Sequence, residues 1–362
     1  MQAAAAPTPA ARPFIHLRVH SAYSLLEGAL PLGKIVGHAV KDCAPAIAVA
    51  DTNNLFGALE FAQKAVKDGV QPIMACQLDT FFEGEDTSNQ RTARDARPDI
   101  AGLVLIAADE AGYANLVRLV SRAYLETPPG APVHVTTGWL AEAASGLICL
   151  TGGANGPIGR ALVADHAPLA EARLLHLREL FGDRLYVELQ RHEGYDRAVE
   201  AAQIDLAYRH DLPLVATNEA FFPAREDYEA HDALIAIAEG TVIAVDERRK
   251  LTPDHYLKSQ AEMAALFADL PEAIDNTVEI ALRCSYYPEN RAPILPRFTT
   301  GSTDDPGAAE KAEADELRRQ AHEGLERRLA DQGLSEGYTR EDYAQRLDYE
   351  LGVIERMKFP GY

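Results

Sequence analysis

From residue 14 onward the chain repeats one pattern: a short apolar run, bounded by Gly, Pro, Asn or Asp, and then a longer amphipathic stretch. The runs fall at residues 14–19, 46–50, 72–78, 102–107, 147–151, 185–189 and 214–217. Each is apolar at nearly every position rather than at alternate ones, as expected of parallel strands buried on both faces. The stretches between them have helical periodicity. Residues 55–68 set Leu55, Leu59, Ala62 and Val66 on one face and stop at Gly69, a suitable C-terminal cap. Residues 113–124, 169–180 and 198–210 repeat the design. Strand then helix, many times over, predicts an α/β fold, either a barrel or a doubly wound sheet. From about residue 227 the texture turns mostly helical, and residues 288–305, rich in Pro, Gly, Ser and Thr, read as a linker or extended crossing. Residues 306–331 and 341–357 read as charged helices with narrow apolar stripes, Leu347, Leu351 and Ile354 forming one that wants a partner. The Ala/Pro-rich residues 1–13 are expected to be a disordered leader, and the polar residues 83–98 a surface loop.

Composition narrows the function classes. With 35 Lys and Arg against 55 Asp and Glu, the net charge of −20 argues against this chain clamping DNA by itself. Four widely spaced cysteines without a CxxC pair exclude a zinc ribbon or redox dithiol. No stretch has the uninterrupted apolar length that spans a membrane, and a cytoplasmic protein is expected.

In parallel α/β folds the chemistry gathers where strands give way to loops. Those positions carry Arg18, His20 and Glu27 after the first run, Asp51 and Thr52 after the second, Gln77 after the third and Glu219 after the last. On residue type alone, His20, Glu27, Asp51 and Glu219 make either a weak metal or acid/base cluster or a satisfied buried network.

The run His16-Leu-Arg-Val-His20-Ser-Ala-Tyr-Ser-Leu-Leu-Glu-Gly28 resembles the opening motif of the polymerase-and-histidinol-phosphatase (PHP) domain of bacterial C-family replicative polymerases, the DNA polymerase III alpha subunits. Ala50-Asp-Thr-Asn-Asn-Leu-Phe-Gly57, Gly112-Tyr-Ala-Asn-Leu-Val-Arg-Leu119, Val215-Ala-Thr-Asn218 and Pro271-Glu-Ala-Ile-Asp-Asn-Thr-Val-Glu-Ile-Ala281 are similar to later segments of the same domain, in order. Glu350-Leu-Gly-Val-Ile-Glu-Arg-Met-Lys-Phe-Pro-Gly-Tyr362 resembles the segment that opens the polymerase palm. The resemblance implies a PHP-type distorted (βα) barrel over residues 14–285, a linker at 286–305 and the beginning of the palm region at 306–362. It also implies a place in chromosomal replication, with the proofreading exonuclease and the rest of the replicative holoenzyme as partners.

Metal-binding members of that family hold several ions with His, Asp, Glu and Cys ligands. Here Arg18 and Thr52 stand at histidine positions, Gln77 at a glutamate, Gly102 at a histidine, Gly153 at a cysteine and Phe221 at a histidine, while Glu27 and Glu219 replace aspartates. A guanidinium cannot ligate a metal, and Gly and Phe offer no donor. The resemblance therefore implies a cleft made of Arg18, His20, Glu27, Asp51, Thr52, Gln77 and Glu219, with no metal, no cofactor and no catalytic residue. Arg18 is expected to pair with Glu27, Asp51 or Glu219. The family's Asp-x-Asp magnesium ligands and Gly-rich triphosphate loop have no counterpart here, so DNA, dNTP and Mg²⁺ are expected to be handled by a polymerase region outside these residues. The alternatives are a free-standing metal-dependent PHP phosphoesterase or nuclease, and the same domain of the error-prone sister polymerase.

Overall fold

A computed structural model describes residues 13–83, 99–291 and 306–361. Most of the expected leader, the surface loop from 84 and the linker from 292 lie outside the described residues. The chain divides into two compact units, residues 1–289 and 290–362.

The first unit is built on β1 (Ala46–Thr52), β2 (Gln71–Phe81), β3 (Ile100–Ala107), β4 (Val135–Thr136), β5 (Leu147–Leu150), β6 (Leu185–Gln190) and β7 (Leu214–Thr217), in the order β1-β2-β3-β5-β6-β7 with β4 beside β2. The sheet is mixed and mostly parallel. β3 runs antiparallel to both β2 and β5, where the sequence led us to expect parallel strands throughout. A run buried on both faces reads the same in either direction, so direction was not legible in it.

The first apolar run is extended chain rather than a regular strand. Ala48 N donates to His16 O at 2.7 Å and Ala50 N to Val19 O at 2.8 Å, while His20 N donates to Ala220 O at 2.8 Å on the far side. Donors two residues apart thus meet acceptors three residues apart, a bulge that breaks the ladder. The segment nonetheless bridges β1 and the chain leaving β7, closing the curled sheet.

Side chains alternate across the closed wall. Ala46, Ala48, Ala50, Ile73, Ala75, Val104, Ile106, Ile148, Leu150, Tyr186 and Val215 point inward with Ile15 and Leu17, against Ile280, Ala281 and Cys284 at the end of helix Pro271–Arg283. The opposite faces pack against the surrounding helices, among them Ala58–Lys67, Glu110–Glu126, Ala167–Phe181 and Arg197–Arg209. The same inward parity, carried toward the strand ends, brings Thr52, Gln77, Gly102, Glu188, Gln190 and Thr217 to the mouth of the barrel. The fold positions the cleft in this way.

The second unit pairs helices Pro306–Gln332 and Arg340–Arg356. Of the apolar stripe expected to seek a partner, Leu351 is buried and Leu347 and Ile354 are half-buried.

Candidate functional site at the mouth of the barrel

Arg18 is fully buried at the end of the closing segment, and its guanidinium touches three walls of the barrel. Nη1 lies 3.1 Å from Glu188 Oε1 on β6, and Nη2 lies 2.6 Å from Glu219 Oε1 just past β7. Nη2 and Nε also donate to Gln77 Oε1 on β2, at 2.7 and 3.2 Å. Glu219 reaches the guanidinium from a left-handed backbone (φ 50°), an uncommon conformation for a residue with a Cβ. Glu188 accepts three more hydrogen bonds: the Thr217 hydroxyl at 2.5 Å, Gln190 Nε2 at 3.4 Å and Gly152 N at 2.8 Å.

Burial by itself would lower the Arg18 pKa, but Glu188 and Glu219 raise it further, so the guanidinium stays charged. Burial pushes Glu219 above the usual carboxylate range; Arg18 opposes that shift and Glu188 adds to it. One cation thus sits between two carboxylates in a dry site.

Of the three carboxylates offered as alternative partners of Arg18, Glu219 is the one it meets, and Asp51 and Glu27 are held elsewhere. Asp51 is turned into the loop after the closing segment, where Oδ1 accepts from Ser21 N and Ser24 Oγ and Oδ2 from Ser21 Oγ, each at 2.7 Å. The hydroxyls of Ser21 and Ser24, three and six residues beyond Arg18, capture it before it can reach the cleft. Glu27 lies at the mouth, accepting from Thr52 Oγ1 at 2.7 Å and pairing with Arg249 Nη1 at 2.7 Å.

His20 stacks on Phe221 with ring centroids 4.2 Å apart and planes 4° apart. Its Nδ1 is 3.1 Å from Ser24 Oγ and 3.4 Å from Thr52 Oγ1. Its Nε2 is buried without a hydrogen-bond partner, 3.9 Å from Glu219 Oε1. Burial and the charges of Arg18 and Arg249 hold His20 well below its ordinary pKa, so it is neutral.

Sequence reading missed Glu188, Gln190, Thr217 and Arg249. For Glu188 a signal existed: a lone carboxylate in the apolar run Leu185-Tyr-Val-Glu-Leu-Gln190, on the inward parity. Arg249 carried none, since it meets Glu27 across 222 residues of sequence.

The two glycines at ligand positions are filled over by neighbours. A Cβ on Gly102 would lie 3.2–3.3 Å from the Gln77 side chain, and one on Gly153 would collide with Gln190 Oε1. A larger side chain at either position would have to displace one of these glutamines. Residues 16–192 match the family model of the PHP domain. These residues belong to the PHP-domain family. It is 46% identical over 351 residues to a DNA polymerase III subunit alpha of Caulobacter vibrioides, covering 96% of this chain and 29% of that protein. The corresponding proteins of Rickettsia bellii and Escherichia coli K12 are 38% and 35% identical, again over 96% of this chain and 29% of theirs. The PHP chain therefore spans about 29% of the length of the curated relatives it matches, in their amino-terminal part. An amidohydrolase of known structure from Chromobacterium violaceum overlaps it loosely, at 15% identity and TM-score 0.37 over 57% of this chain and 87% of that one.

A PHP cleft that holds several metals needs ligands converging from many strand ends. Among the described residues, no three His, Cys, Asp or Glu side chains are grouped so as to hold an ion. Glu219 is bonded to Arg18, both Asp51 oxygens are bonded to serines, and the residues present do not fit a multinuclear site. Among the described residues, no helix is long and apolar enough to cross a membrane.

Proposed function

We propose that this chain is the PHP module of a replicative DNA polymerase, the DNA polymerase III alpha subunit, and serves there as a metal-free scaffold. The observation that carries the reading is the buried Arg18, which puts a fixed positive charge among the carboxylates of the cleft. A metal does more than add charge: it binds and activates water and clamps phosphoryl oxygens. A guanidinium supplies the charge without the open coordination positions, so the cleft keeps its electrostatic balance and loses hydrolytic chemistry. On this reading the module contributes a rigid closed barrel to the polymerase and a docking surface for the proofreading exonuclease. DNA, dNTP and Mg²⁺ are handled by the polymerase region, in the cytoplasm.

The test is functional. The purified chain, supplied with Mn²⁺ or Zn²⁺, should release no nucleotides from 3′-ended DNA, and it should co-elute with the purified exonuclease subunit in size-exclusion chromatography. Metal-dependent cleavage lost on His20→Ala would replace this reading with the PHP phosphoesterase, for which the unpartnered His20 Nε2 beside Glu219 is the favouring observation.

A further inference from the structure

The chain leaves the barrel at its floor, opposite the cleft. Gln71 Nε2 at the start of β2 donates to Ala281 O and Cys284 O, at 2.9 and 2.7 Å, and Ser285 N donates to Ala108 O at 2.8 Å where β3 ends. The mouth carries large apolar side chains instead. Leu25, Leu26 and Phe56 stand on the loops that follow the closing segment and β1. Ile237, Val242 and Ile243 stand on the end of helix Tyr228–Ala238 and the irregular chain beyond it, and all six side chains are 55–70% exposed. The segments that carry them meet at Glu27. Its carbonyl accepts from His231 Nε2 at 2.6 Å, and its carboxylate accepts from Thr52 Oγ1 and pairs with Arg249. The rim is also held in shape. Glu27 N and Gly28 N both donate to Ser24 O, at 2.9 and 2.8 Å, and Asn54 Nδ2 donates to Tyr23 O at 2.9 Å. Arg248 forks onto both oxygens of Asp232, and Tyr228 Oη donates to Leu251 O at 3.1 Å. Leu26 is kept at φ 65°, an uncommon backbone for a residue with a Cβ, and its side chain is nonetheless left in water. Strain and exposed apolar surface both oppose the isolated barrel, and together they mark a contact surface shaped before its partner arrives.

Charge limits what can cover this rim. Arg249 and Lys250 are already paired, with Glu27 at 2.7 Å and Asp246 at 3.7 Å. Glu239 and Glu247 beside them are exposed and have no Lys or Arg salt-bridge partner among the described residues. The chain as a whole carries −20. A second copy, a nucleic acid or an anionic membrane would bring more negative charge to the rim, whereas a basic partner is drawn to it. We propose that the mouth rim docks a separate protein whose contact face is apolar and edged with Lys or Arg. The inference rests on the scaffold reading above and gives its docking surface a place, with the proofreading exonuclease subunit as the partner to test. The rest of the polymerase is tethered from the floor, which leaves the mouth to another chain.

The experiment is a calorimetric titration of the full chain with the purified exonuclease subunit, with circular dichroism confirming the fold of each variant. Leu25 and Ile243 are exposed, so a charge at either position buries nothing and the fold should survive. Leu25→Asp and Ile243→Asp should each weaken binding at least about tenfold. Leu282→Asp, equally exposed but at the floor, should bind as the wild type does. Raising NaCl from about 0.1 M to about 0.5 M should weaken wild-type binding, because a basic edge acts through charge. Folded rim variants with wild-type affinity, or a loss on Leu282→Asp as large as theirs, overturn the inference and leave the scaffold reading standing. An affinity indifferent to salt overturns the basic edge of the proposed partner. Self-association of the wild type abolished by Ile243→Asp makes a second copy the occupant and overturns the inference as well. No binding by the wild type overturns the docking role in the scaffold reading, and the inference with it.

Discussion

Arg18 bonds to side chains of three separate elements, and its removal would strand Glu188 and Glu219 together in a dry site. Leaving a buried charge uncompensated costs about 3–5 kcal/mol, so Arg18→Ala should lose stability of that order in urea unfolding at neutral pH. Arg18→Lys should recover only part of it, because a point charge cannot reproduce a planar fork spanning Glu188, Glu219 and Gln77. The pH dependence has a definite sign. The folded chain holds Glu219 above its ordinary pKa, and without Arg18 to oppose burial that value rises further. As pH falls through it the carboxyl neutralises, so the deficit of Arg18→Ala relative to wild type should shrink as the pH is lowered from neutrality. A deficit that is constant or grows as the pH is lowered would mean that Glu219 is not stranded by the substitution.

At the level of elements, the barrel depends on a bulged segment to close it and on close backbone contacts to shape its mouth. Gly152 follows β5 with φ 83°, and a Cβ there would collide with the carbonyl oxygen of Gly102. Its N–H is also one of the donors to Glu188. Gly152→Ala should therefore cost about 2 kcal/mol or more, read as a lowered melting temperature, even though only a methyl group is added. An unchanged melting temperature would mean that the turn does not hold Glu188. Much of this level was legible in the sequence. Strands of the structure overlap six of the seven apolar runs, and the helices overlap the amphipathic stretches at 55–68, 113–124, 169–180 and 198–210. The first run, 14–19, became the bulged closing segment, because apolarity records burial and not hydrogen-bond register. The direction of β3 was hidden for the same reason. At the site, Glu219 was one of three carboxylates that the strand-end positions offered to Arg18, and the sequence did not choose among them. The capture of Asp51 by Ser21 and Ser24, and of Glu27 by Arg249, depended on loop conformation that periodicity does not encode.

For the whole molecule, histidines buried as neutral rings make the fold acid-sensitive. Burial lowers His16 to about 4, against a smaller opposing effect of its hydrogen bond to Lys258 O, and lowers His255 to about 2. Between the unfolded value near 6.5 and these folded values, the unfolded chain binds more protons, so stability falls as pH drops through that window. His16 alone accounts for a loss of order 3 kcal/mol by pH 4, a large part of a typical domain's stability. The net charge approaches zero near the sequence pI of 5.0, so self-repulsion is smallest where this loss is under way. Circular dichroism against pH should show unfolding that begins between about pH 6 and about pH 4, and a flat profile down to about pH 4 would contradict the burial of these rings as neutral groups. On the proposed reading, Arg18 holds the place of the metals in this PHP cleft. Elemental analysis of the purified chain, after incubation with Zn²⁺ and Mn²⁺ and removal of free ions, tests it most directly. No stoichiometric metal is the predicted result, and one or more ions per chain, released by His20→Ala, would contradict it.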